Sequence, residues 1–377
     1  MHLISTDPVW INSAEDLADF CKKWQQQAAI AIDTEFMRSD TFYPKVGLLQ
    51  IGDGKGCYLI DPLLIKDVQP LRELLLNPNI VKVLHSCSED LEVFQTWLNL
   101  IPNPIFDTQI AAAFAGFGYS LSYANLVRLL LNTEIPKDET RSDWLQRPLS
   151  LAQLKYAALD VAHMLIVYGK LLVQLKASER LSWVKSDCAD LVIKASTLPD
   201  YSAAYKDVGL AWKLRPQELF ILRDLAIWRE EQSRERNIPR NRLIKETAMW
   251  EIARKKIVSL SELEKVEDLP SRTLRNDAEF LLSLVRSGLD SSIDQWPQRL
   301  EPPLSPEHGP VIKAMKEAVR EIAEQHQLPA EILIRKKDYE FIVRSKMHSG
   351  EYQLPERLKG WRFNLIGEKL LEVVKMV

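Results

Sequence analysis

Short apolar runs separated by turn-forming residues fill the first hundred positions of this chain, whereas later positions repeat their apolar residues at helical spacing. Short runs bounded by Gly, Pro, Asn or Asp predict strands. Strands are therefore expected at 28–36, 46–52, 57–61, 80–84 and 104–107, with Asp53-Gly54 supplying hairpin chemistry between the second and third. The last leads into a helix over 108–115. Ser86 or Ser88 is placed to cap a helix that includes 88–94. Ser150 with Gln153 fits a capping box, and Leu151, Leu154, Ala158, Val161, Ala162 and Leu165 keep helical period. A strand meander followed by alternating strands and helices predicts an α/β domain, a mixed sheet flanked by helices.

Four acids stand out against this pattern. Asp33 and Glu35, in Ala-Ile-Asp-Thr-Glu-Phe, are two apart on the first strand and so project from one face. Adjacent carboxylates repel, so the sheet gains nothing from the pair. A hard divalent cation such as Mg²⁺ or Mn²⁺ removes that penalty; a solvated strand end is the plain alternative. Asp90 falls in the first turn of the helix after the 80–84 strand, where acids complement the helix dipole. Its neighbours Glu89 and Glu92 read as solvated. Tyr156 and Asp160 are i and i+4 on the helix opened by Ser150, so they share one face.

Ile-Asp-Thr-Glu-Phe-Met-Arg at 32–38, Leu-His-Ser-Cys-Ser-Glu-Asp-Leu-Glu-Val-Phe at 84–94 and Tyr-Ala-Ala-Leu-Asp-Val at 156–161 resemble three motifs of the DEDD superfamily of 3′→5′ exonucleases. More narrowly, they resemble those of ribonuclease D. The superfamily divides by the residue that assists the attacking water, a Tyr four before the last Asp or a His five before it. Here position 156 is Tyr and 155 is Lys, so the chain resembles the Tyr subgroup. His163 fits neither pattern and reads as packed or solvated.

The resemblance implies a ribonuclease H-like fold and two divalent metal ions, Mg²⁺ or Mn²⁺, held by Asp33, Glu35, Asp90 and Asp160. It further implies that Asp33 bridges both ions, Glu35 and Asp160 serve the nucleophile side, and Asp90 acts partly through water. Tyr156, with an ordinary pKa of about 10, is a poor base at neutral pH; its expected task is to orient the attacking water. Asp107 also matches the family and reads as a helix N-cap. Lys137 and Arg141 are candidates for phosphate contact, and Phe36, Met37 and Tyr43 for stacking on the terminal base.

The second part contains a repeat. Ile238-Pro-Arg-Asn-Arg-Leu-Ile-Lys aligns with Leu328-Pro-Ala-Glu-Ile-Leu-Ile-Arg at an offset of 90 residues. Arg215-Pro-Gln-Glu-Leu together with 237–245 resembles the helical domain shared by helicases and the ribonuclease D C-terminus. The second copy departs from it: Gly309-Pro310 is expected to interrupt its first helix, and Ala330-Glu331 replace the basic residues after the proline. The organisation expected is an exonuclease domain at 1–205, a first helical nucleic-acid-binding domain at 211–290 and a second, divergent helical domain at 305–377. The proline-rich stretch 290–306 links the last two.

Charge divides in the same way. Residues 1–200 carry 18 Lys+Arg against 24 Asp+Glu, and residues 201–377 carry 31 against 28. Phosphate attraction is therefore expected at Arg234, Arg236, Arg240, Arg242 and Lys245, and truncation after about residue 205 is expected to leave a folded nuclease core. Four cysteines with no metal-ligand spacing read as reduced thiols. No basic leader and no apolar run of spanning length are evident, so no membrane role is expected, and cytoplasm is. The resemblance implies a 3′→5′ exoribonuclease that releases 5′-mononucleotides, takes RNA with a free 3′ end, trims transfer-RNA precursors and other small structured RNAs, and acts as a monomer. A 3′→5′ DNA exonuclease is the alternative in the same class. A non-catalytic RNA-binding scaffold is the alternative from another class, although such a relative should have lost a metal acid and this chain has lost none.

Overall fold

The computed structural model describes residues 7–136 and 142–376; Lys137 and Arg141 lie outside them. Alternating and apolar runs form six strands among the described residues: β1 (Val9–Ile11), β2 (Ala29–Met37), β3 (Lys45–Gly52), β4 (Cys57–Ile60), β5 (Val81–Leu84) and β6 (Ile105–Asp107). Five match the expected runs to within a residue or two at each end. The short edge strand β1 shows no alternation in sequence. The sheet order is β1-β4-β3-β2-β5-β6, which places β2 in its interior. Strands β1/β4, β2/β5 and β5/β6 pair parallel, and β3/β4 antiparallel. This is the expected mixed sheet.

Helices α1 (Ala14–Trp24), α2 (Gln69–Leu76), α3 (Ser88–Leu98), α4 (Thr108–Phe114), α5 (Tyr123–Leu131), α6 (Leu151–Ala162), α7 (Met164–Ala177) and α8 (Leu181–Ser196) accompany the sheet. The Ser150–Gln153 capping box opens α6 as expected. At Gly52 α6 comes close to the sheet: a Cβ there would lie 2.8 Å from the Val161 carbonyl oxygen and 3.3 Å from the Cβ of Ala31 on β2. The 38–44 connection is too short for a parallel crossover, which needs about a dozen residues or more, so β2 and β3 run antiparallel. With Gly52 facing Ala31, Gln50 stands opposite Asp33 and Leu48 opposite Glu35.

By length and composition alone Leu151–Ala177 could cross a membrane. Within it Ala157, Ala158, Val161, Met164, Val167 and Leu171 are buried in the core of the protein.

Contacts gather the chain into two units, Met1–Met37 with Val46–Ser196 and Leu304–Val377, and Arg38–Lys45 with Thr197–Pro303. The second unit holds α9 (Pro216–Glu235), α10 (Arg240–Leu243), α11 (Glu246–Lys255), α12 (Leu260–Leu263) and α13 (Ser271–Asp290). The first unit ends with α14 (Gly309–Gln325), α15 (Ala330–Leu333), α16 (Lys336–Ser349) and α17 (Glu368–Met376). The 90-residue repeat is structural. Both copies enter a one-turn helix after Pro239 or Pro329, bury Leu243 or Leu333, and then extend at Ile244 or Ile334. Gly309-Pro310 starts α14 instead of interrupting it, because a proline in the first turn sacrifices no helical hydrogen bond.

The second copy shares one hydrophobic core with the sheet and its helices. Trp361 stacks on Trp183 with centroids 4.6 Å apart, and Arg362 forks onto Asp187 at 2.9 and 2.6 Å. Arg180 donates to the His326 carbonyl at 2.6 Å.

Candidate active site

Strand alternation turns Asp33 and Glu35 to the side of the sheet covered by α6, and α6 presents Asp160 there. One carboxylate oxygen from each of the three lies within 4.8 Å of the other two. Thr34, between the two strand acids, points to the opposite side, where its hydroxyl donates to Oδ1 of Asp90 at the start of α3. Asp90 is outside the 4.8 Å trio but close enough to act on it electrostatically.

The four acids are poorly solvated and mutually repelling. Burial pushes Asp33 far above the usual carboxylate range, and the charges of Asp90, Asp160 and Glu35 push it further. Glu35 rises to about 9 through burial, then Asp160 and Asp90. Asp160 rises to about 7 by burial, against the hydroxyl of Tyr156, which lowers it, and with Asp90, which raises it. Asp90 rises to about 6 by burial, moderated by the Thr34 hydrogen bond. Oδ2 of Asp160 is buried with no hydrogen-bond partner. Hard oxygen donors crowded together, one of them orphaned, fit a divalent cation and serve no folding purpose.

Tyr156 is half-buried one turn before Asp160. Burial and then the charges of Asp160, Glu35 and Asp33 raise its phenol above the ordinary range, so it remains a proton donor. Its ring lies 6.1 Å from that of buried Trp144. The segment carrying Trp144 is fastened by Arg147, which forks onto Asp61 at 2.7 and 2.8 Å and donates to the Gly47 carbonyl.

Several residues differ from expectation in detail. Neither Ser86 nor Ser88 caps α3; its cap is Cys87, without a side-chain bond. Asp107 does that work from a distance, accepting from the backbone N–H groups of Ser86 and Cys87 while also capping its own helix through Gln109 and Ile110. Met37 packs beside Trp144 and Leu48. His163 closes α6 as its C-cap. Sequence reasoning missed Thr34 and Tyr123. The Tyr123 hydroxyl is buried without a partner, its phenol raised by burial and by Asp160. Strand alternation offered a signal for Thr34, and the resemblance of 121–126 to the ribonuclease D segment beside the active site offered one for Tyr123.

The basic cluster is mostly committed within its own unit. Arg240 and Arg234 both clamp Glu230, at 2.6 and 2.7 Å; burial works against that carboxylate, but the two arginines hold it at about 2. Arg236 forks onto Asp277, and Lys245 pairs with Asp268. Arg242 reaches Asp40 at 3.4 Å but stays 59% exposed.

Comparison with known proteins resolves the family. Residues 8–176 match the 3′-5′ exonuclease family, 218–285 the HRDC domain, and 306–370 the ribonuclease D C-terminal HRDC domain. Ribonuclease D of Pseudomonas paraeruginosa is 44% identical over 375 residues, covering 100% of each chain. The chain belongs to the ribonuclease D family. Ribonuclease D of Escherichia coli is 36% identical over 362 residues, 96% of each chain. The crystal structure of Escherichia coli RNase D, an exoribonuclease involved in structured RNA processing, matches with a TM-score of 0.90 at 35% identity. That match covers 97% of this chain and 98% of the other. As a ribonuclease D family member, the protein is a 3′→5′ exoribonuclease acting on RNA. The DNA exonuclease and non-catalytic scaffold alternatives are thereby set aside.

Proposed function

We propose that Asp33, Glu35, Asp90 and Asp160 hold two divalent cations, Mg²⁺ or Mn²⁺, and that Tyr156 orients the water attacking the 3′-terminal phosphodiester, so that 5′-mononucleotides are released. The observation carrying this reading is the buried acid cluster with its orphaned Asp160 oxygen. Bound there, paired divalent ions lower the pKa of water and stabilise the leaving 3′-oxygen. The residues supply the rest. Thr34 holds Asp90 in one rotamer, and α6 holds Tyr156 and Asp160 one turn apart. Tyr156, protonated at neutral pH, donates its hydrogen bond and removes no proton.

The substrates proposed are transfer-RNA precursors and other small structured RNAs with a free 3′ end, processed by a monomer. Four buried, unpaired cysteines support work in a reducing cytoplasm. A radiolabelled transfer-RNA precursor with a 3′ extension should be shortened with Mg²⁺ or Mn²⁺ and untouched in excess chelator. Undiminished shortening in chelator overturns the cation reading; an intact precursor beside a degraded unstructured RNA overturns the substrate.

A further inference from the structure

Gln50, in the middle of β3, is fully buried. Neither its Oε1 nor its Nε2 has a hydrogen-bond partner. A desolvated, unpaired amide is costly, and each such group in a folded protein calls for a reason. Methionine or leucine would occupy similar volume without that cost, so packing does not supply the reason.

Its surroundings do. On β4 the residue paired with Gln50 is Leu59, which is apolar. On β2 the opposite residue is Asp33, from the facing of Gly52 and Ala31. Directly opposed side chains on one face of an antiparallel pair have Cβ atoms about 4.5–5.5 Å apart, within reach of an amide and a carboxylate. Helix α6 covers the same face. Its Ala157 packs in one cluster with Leu48 and Leu59, and its Val161 lies against Gly52. Gln50 thus sits beneath the helical turn that presents Asp160, whose Oδ2 is itself without a partner. Two donors and an acceptor are stored, buried, beside the acid cluster.

We infer that Gln50 is a positioning residue of this cluster: its unpaired Nε2–H group is stored to donate to the Asp33 carboxylate when divalent cations bind, fixing that carboxylate in the orientation they require. This rests on the cation reading above. Hydrogen bonds from outer residues orient ligating groups, and their loss typically costs about 10- to 100-fold in metal affinity.

The test replaces Gln50 by near-isosteric Met, and separately by Leu, and titrates the full-length protein with Mn²⁺ by calorimetry. The expected result is a dissociation constant raised roughly 10-fold or more, a smaller Mn²⁺-induced rise in melting temperature, and a metal-free melting temperature unchanged or higher. In steady-state assays kcat should fall while KM for RNA holds. A Mn²⁺ dissociation constant equal to wild type in either variant overturns the inference, whatever happens to stability, and leaves Gln50 a core residue. Failure of the wild-type protein to bind Mn²⁺ overturns the cation reading itself, and the inference with it, so the two failures are distinguishable.

Discussion

Asp33, Glu35, Asp90 and Asp160 cannot all ionise at low cost in the metal-free protein, and this makes its stability depend on pH. Each carboxyl has a folded-state pKa above its usual value of about 4, reaching about 6 for Asp90, 7 for Asp160 and 9 for Glu35. Over that window the folded protein retains protons the unfolded chain has lost. Stability from this source is therefore present at acidic pH and declines as pH rises from about 4 to about 9. The metal-free protein should melt higher at pH 5 than at pH 8, and Mn²⁺ should close the gap. Asp33→Asn should raise the metal-free melting temperature at pH 8 and abolish hydrolysis. Calorimetric melts at both pH values test this; an Asp33→Asn variant that still degrades RNA would show that Asp33 is no ligand. At Tyr156 the expectation concerns rate. Tyr156→Phe should lower kcat by roughly 100-fold with RNA affinity little changed, as read by single-turnover kinetics. A variant that binds weakly but turns over normally would make Tyr156 a packing or stacking residue.

At the scale of elements, the site depends on how closely α6 approaches β3. Gly52 permits that approach, since a Cβ would sit 2.8 Å from a backbone oxygen that a rotamer change cannot move. Gly52→Ala should push α6 outward and carry Asp160 with it. Overpacking of this kind costs about 1–3 kcal/mol, so chemical denaturation should show a loss in that range, accompanied by weaker Mn²⁺ binding. Loss of stability with unchanged Mn²⁺ affinity would mean that the helix yields without displacing its acid.

For the molecule as a whole, the second helical copy changes what truncation does. From the sequence alone, a chain ending near residue 205 is expected to fold by itself. Removing α14–α17 would uncover Phe114 and Trp183, against which Trp361 packs, and leave Asp187 without Arg362. The truncated chain should melt lower, bind an apolar dye and lose activity on short RNA that needs no helical domain. A melting temperature equal to that of the intact chain would show that the last helices add nothing to the catalytic core.

Five of the six strands, the helices that follow Cys87, Asp107 and Ser150, the capping box at Ser150, the repeat and the four acids with Tyr156 were legible in the sequence, because each is a local pattern. Period two or 3.6, a cap three residues from its partner, and i, i+4 spacing need no knowledge of distant residues. Tertiary structure decided what depends on distant neighbours. That Thr34 holds Asp90, that Asp107 replaces Ser86 and Ser88 at the α3 entrance, and that Gln50 faces Asp33 all follow from strands meeting across a sheet. It also decided what charge does. Arg234, Arg236 and Arg240 read in sequence as a basic face, and folding pairs them with Glu230 and Asp277. A residue's identity sets its charge, but only the fold sets which opposite charge lies within reach.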